Sequence, residues 1–88
     1  MKLMLADDHL LFLEGLEYML KTYGIEVAGT AKNGGEALEK ARILKPDIIL
    51  MDISMPMCSG IDALKLIKAE MSYIKIVMLT ASEDPGIF

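Results

Sequence analysis

Four short apolar runs alternate with three amphipathic stretches along this chain, and that alternation leaves few folds open. Lys2 to Ala6 is too short for a helix and apolar enough for a buried strand. Leu10 to Tyr23 has helical spacing, with Leu13, Leu16, Leu20 and Tyr23 on one side and Glu14, Glu17 and Lys21 on the other. Asp8 stands where it can cap the start of this helix, and Gly24 where a left-handed residue can end it. Ile25, Val27 and Gly29 alternate with Glu26 and Ala28, the pattern of a less buried second strand. Asn33 is a good N-cap for a second helix, Glu36 to Leu44, whose Ala37, Leu38, Ala41 and Leu44 share a face. Pro46 stops that helix, because proline disfavours helical backbone in the residue before it. Asp47 to Met51 is apolar on both faces, as a central parallel strand must be. Beyond a loop from Ser54 to Gly60, Ile61 to Met71 forms a third helix with Leu64, Ile67 and Met71 inward. Lys75 to Leu79 is a fourth strand, and Glu83-Asp84-Pro85-Gly86 reads as the start of a fourth helix.

A β-α-β-α-β-α-β order implies right-handed crossovers and a doubly wound α/β fold with a parallel sheet. The strand order expected is 2-1-3-4, with the first helix on one face and the second and third on the other. With 88 residues the chain makes one domain, residues 1–88, and buries roughly 60–65% of its unfolded surface. Apolar residues make up 53% of it, more than so small a core needs, so some apolar faces want further covering. The net charge of −4 argues against a nucleic-acid backbone as a partner. Cys58, the single cysteine, allows no internal disulfide and reads as an inert loop residue. Asp7 and Asp8 break the opening apolar stretch too early for a secretion signal, and no run is long enough to span a membrane. A cytoplasmic domain is expected.

In an open α/β sheet the ligand site lies beyond the carboxyl ends of the strands, where the strand order reverses. Asp7 and Asp8 follow the first strand and Asp52 closes the third, so three carboxylates are expected in one crevice. Two unit charges about 4 Å apart repel by roughly 4 kcal/mol at an effective dielectric of 20. A hard divalent cation is the simplest reason for such a cluster, and Mg²⁺ needs only two or three carboxylates. A carboxylate beside the metal is also a nucleophile toward phosphorus, and Thr80, ending the fourth strand, adds a hydroxyl to the rim. No Gly-x-x-x-x-Gly-Lys-Ser/Thr loop and no Gly-x-Gly-x-x-Gly turn are present, which argues against P-loop and dinucleotide chemistry. Asp7-Asp8 would repel the phosphate of a flavin mononucleotide.

Leu5-Ala6-Asp7-Asp8-His9, Leu11-Phe12-Leu13-Glu14-Gly15-Leu16, Asp47-Ile48-Ile49-Leu50-Met51-Asp52-Ile53-Ser54-Met55-Pro56, Gly60 and Leu79-Thr80-Ala81 together resemble the receiver domain of bacterial two-component response regulators. The stretch around the first helix is most similar to receivers that precede a helix-turn-helix DNA-binding domain. The resemblance implies a flavodoxin-like receiver fold. It implies Asp52 as phosphoacceptor, with Mg²⁺ held by Asp7, Asp8, Asp52 and the backbone carbonyl of Ser54. It implies Thr80 as the switch hydroxyl, Ala81 as the small residue beside it, and Pro56 and Gly60 as shapers of the pocket. A sensor histidine kinase is the implied partner and transcription the implied output. The implied chemistry is phosphoryl acceptance, with at most weak self-dephosphorylation. His9 is expected outside the site, as an exposed residue at the start of a helix.

Such receivers carry a fifth parallel strand, a lysine at its end and two further helices, which the reading of this chain does not find. Lys75 starts the fourth strand at the other edge of the sheet and cannot stand in for that lysine. The expectation is a truncated receiver with Lys75-Ile76-Val77-Met78-Leu79 as a bare apolar edge. Bare edges recruit other chains, so homo-oligomers or exchanged segments are expected. The alternative reading is an α/β fragment that is not phosphorylated and acts only through association with other chains.

Overall fold

A computed structural model of the chain describes residues 1–52, 60–79 and 86–87. The elements are β1 (Leu3–Ala6), α1 (Leu10–Thr22), β2 (Val27–Ala31), α2 (Gly34–Leu44), β3 (Ile48–Asp52), α3 (Gly60–Glu70), β4 (Lys75–Leu79) and β5 (Gly86–Ile87). The sheet runs β2-β1-β3-β4-β5, and its first four strands are parallel in the expected order. Strands of period 2 send alternate side chains to opposite faces. Leu3 and Leu5 of β1 therefore meet α1, whose Leu13 is buried and whose Leu16 and Leu20 pack beside it. Met4 and Ala6 turn to the other face with Ile49, Met51, Ile76 and Met78, under Ala37 and Ala41 of α2 and Ala63 and Ile67 of α3.

The helix ends follow local chemistry. Asn33 caps α2 by accepting a hydrogen bond from the Glu36 N–H at 2.8 Å, and the Glu36 side chain reaches back to the Lys32 N–H. Pro46 does end α2: Lys45 leaves the helical region for φ 50°, the left-handed conformation, while its N–H still bonds Ala41. Gly24, at φ 79°, turns the chain out of α1, and its N–H bonds the Lys21 carbonyl. At the N-terminal edge of the sheet Asp47 and Lys2 clip β1 to β3, each accepting from the other's backbone N–H at 2.7 and 2.9 Å.

Four expectations are corrected. Asp8 does not cap α1; His9 holds that position without a side-chain cap, because the turn is closed by Asp7 instead. Tyr23 lies past the last turn of α1 and is exposed, since the helix stops at Thr22 before the apolar stripe reaches it. Gly86 does not begin a helix: Gly86–Ile87 is a short strand. It pairs antiparallel with β4 through Val77–Ile87 and Met78–Gly86, so the β4 edge is partly covered, not bare. Unpaired N–H and C=O groups of an edge favour any strand that reaches them, including one from the same chain.

Candidate metal centre

Strand register builds the site. Ala6 stands opposite Met51 in the β1–β3 ladder, so one step further brings Asp7 abreast of Asp52. Both carry the parity of Leu3, Leu5, Ile48 and Leu50, and so lie on the α1 face. Asp7 is anchored by its backbone N–H to the Ala31 carbonyl at 2.9 Å, which extends the β1–β2 pairing to the mouth of the crevice. Asp7 and Asp52 are buried, at 6% and 8% exposure, whereas Asp8 and His9 face solvent. Ligand atoms of Asp7, Asp8, His9 and Asp52 all lie within 4.8 Å of one another.

This donor set suits a hard divalent cation. Asp7, Asp8 and Asp52 would hold such an ion, since Mg²⁺ keeps several waters and needs only two or three carboxylates. The N-terminal end of α1 lies just beyond the acidic pair, with His9 between them at the N-cap, and the helix dipole there favours negative charge. Burial of two carboxylates side by side costs free energy unless a cation or donors offset it.

His9 is exposed at the start of the helix, as expected, but its ring also joins the acidic cluster, which was not expected. Its ring Nδ1 is 2.8 Å from Asp7 Oδ1 and 3.1 Å from Asp8 Oδ1, and its backbone N–H donates to the same Asp7 Oδ1 at 2.8 Å. The hydrogen bond with Asp7, then the charges of Asp8 and Asp7 and, more weakly, Asp52, hold its imidazolium above the usual imidazole range, against a smaller opposing effect of desolvation. The available signal was the unbroken Asp7-Asp8-His9 run: a residue two positions after an aspartate is where an Asx turn places a donor. Ser54, Pro56, Cys58, Thr80 and Ala81 lie outside the described residues.

The chain is similar to known proteins over most of its length. The chain is 41% identical over 87 residues to the transcriptional regulatory protein LnrK of Bacillus subtilis, covering 98% of this chain and 40% of that one. It is 42% identical over 89 residues to the response regulator protein VraR of Staphylococcus saprophyticus, covering 99% and 43%. Among solved structures, the receiver domain of the response regulator NarL from Mycobacterium tuberculosis superposes with a TM-score of 0.87 at 28% identity, over 94% of this chain and 68% of that one. The response regulator domain of Thermotoga maritima CheB gives 0.86 at 38% identity, over 92% and 60%. The chain thus spans about 40% of the length of the curated relatives named here. Among the described residues no helix is long and apolar enough to cross a membrane. Residues 3–87 match the response regulator receiver domain, and with the parallel sheet and the acidic crevice at its switch point, the chain belongs to that family.

Proposed function

We propose that this receiver accepts a phosphoryl group on Asp52, in a Mg²⁺-dependent step, from a sensor histidine kinase of a two-component system. The observation that carries the reading is the convergence of Asp7, Asp8 and the buried Asp52 within 4.8 Å at the ends of β1 and β3. An oxygen of the Asp52 carboxylate forms the new bond to phosphorus. The bond from phosphorus to the donor's imidazole nitrogen breaks, and its electron pair stays on that nitrogen. Asp7 and Asp8 hold the cation together with Asp52 and the Ser54 carbonyl. When bound, the metal offsets charge on the transferred group. Thr80 serves as the switch hydroxyl, and Ala81 leaves room for the phosphoryl oxygens.

The names of the relatives support transcription as the output of a longer protein. DNA contact falls to that output and not to this segment, whose net charge is −4. A cytoplasmic location, where a kinase with its nucleotide is found, belongs to the same proposal.

The test is incubation with acetyl phosphate and Mg²⁺. A base-labile adduct is expected, lost in Asp52→Asn and on chelation of the metal. An adduct of equal yield in Asp52→Asn would overturn the assignment.

A further inference from the structure

We infer that His9 is a positioning residue of the acidic site, gripping one oxygen of Asp7 at two points and thereby deciding which carboxylate oxygens face the cation. The inference rests on the metal reading proposed above. Asp7 Oδ1 receives both the backbone N–H and the ring Nδ1 of His9, each at 2.8 Å. Two donors from one residue on one oxygen close a small ring and fix the rotation of the carboxylate, which leaves Oδ2 as the oxygen that His9 does not engage. The same ring nitrogen reaches Asp8 Oδ1 at 3.1 Å, so one imidazole spans the adjacent acidic pair. An Nδ1–H tautomer is sufficient for this; no charge on the ring is required.

The ring is not needed where it stands for the fold. It is 71% exposed, and it gives α1 no side-chain cap although it holds the N-cap position. Its contacts are with the carboxylates alone among the polar partners described for it. Groups that orient metal ligands in this way change metal affinity without touching the ion. A direct ligand role for Nδ1 competes with this one, because an Nδ1 that donates to Asp7 has no lone pair for a metal.

Mg²⁺ and Co²⁺ titrations of the chain, followed by amide NMR and by Co²⁺ absorption, separate the cases. Removal of an orienting group costs about 10- to 100-fold in metal affinity, and an exposed ring belongs at or below the low end of that range. His9→Ala is therefore expected to weaken Mg²⁺ about three- to tenfold. His9→Asn, whose side-chain N–H stands near the position of Nδ1, is expected to regain all but about twofold of it. Co²⁺, which favours imidazole more than Mg²⁺ does, is expected to weaken by the same factor. Unchanged Mg²⁺ binding in His9→Ala, or His9→Asn as weak as His9→Ala, overturns the inference. A Co²⁺ loss far beyond the Mg²⁺ loss also overturns it, by making His9 a ligand. Asp8→Asn tells the two readings apart: Mg²⁺ lost there but indifferent to His9 sinks the positioning role alone. No Mg²⁺ binding by the unsubstituted chain sinks both.

Discussion

The two faces of the sheet are built on opposite terms. Under α2 and α3 the packing is close: Ala37, Ala41 and Ala63 let the helices approach, and Met4, Ile49, Met51, Ile76 and Met78 are fully or almost fully buried beneath them. Under α1, among the described apolar residues, Leu3, Leu5 and Leu13 are buried, while Ile48 and Leu50 are half-covered. On α1 itself Leu10, Leu11, Phe12 and Met19 are exposed. Leu11, Phe12, Gly15, Leu16 and Met19 line an apolar groove of about 330 Å³. The loose face is also the one that carries Asp7 and Asp52. Stability and chemistry are thus divided between the faces: the dense side holds the strands in register, and that register brings the carboxylates together on the sparse side.

This contrast breaks first in core substitutions. Ile67→Ala removes a fully buried side chain of α3 and is expected to cost about 3 kcal/mol in denaturant unfolding. Leu16→Ala, on half-covered α1, is expected to cost about 1 kcal/mol. Equal losses would show that the faces are equally packed. A gain sharpens the contrast. Gly15 lies within α1, and a Cβ built on it meets nothing within 4 Å, so Gly15→Ala is expected to stabilise by about 0.5–1 kcal/mol. A loss there would mean that α1 is covered more tightly than its exposed residues indicate.

The smallest effect concerns the rim of the dense face. Arg42 of α2 donates to both carboxylate oxygens of Glu70 in α3, with Nε at 2.8 Å from Oε2. That hydrogen bonding, with the guanidinium charge, lowers the Glu70 carboxyl below its ordinary 4.5, against partial desolvation. A depressed carboxyl stabilises the fold fully above the unfolded value and loses that contribution as the pH falls through the folded one. Glu70→Gln is therefore expected to flatten the stability profile slightly below about pH 4.5, with little change at neutral pH. Superimposable profiles for the two proteins would remove the pair from the account of this face.

Much of this division was legible in the residues. Ala37, Leu38, Ala41 and Leu44 at helical spacing marked the inner face of α2, and the same spacing marked Leu64 and Ile67 in α3 and Met71, which packs on the core just past the helix end at Glu70. The apolar runs marked the strands, and the expected order 2-1-3-4, that of the receiver fold the chain resembles, implied the meeting of Asp7, Asp8 and Asp52. Ala63 was missed because a single alanine beside Leu64 carries little periodic signal. His9 was read correctly as an exposed residue at the helix start but left outside the site, because its contact depends on the path of the turn between β1 and α1, which local composition does not specify.

Local pattern was enough to mark four strands and three helices with their apolar stripes, and once the order 2-1-3-4 of the receiver fold is taken, the one-handed crossover puts the helices on their faces and the carboxylates at the switch point. Tertiary structure decided what depends on atoms meeting across turns or between distant segments. The His9 ring settled onto Asp7 and Asp8, and Gly86–Ile87 folded back along β4. A hydrogen bond made or left open at ångström range has no counterpart in the spacing of residues along a chain.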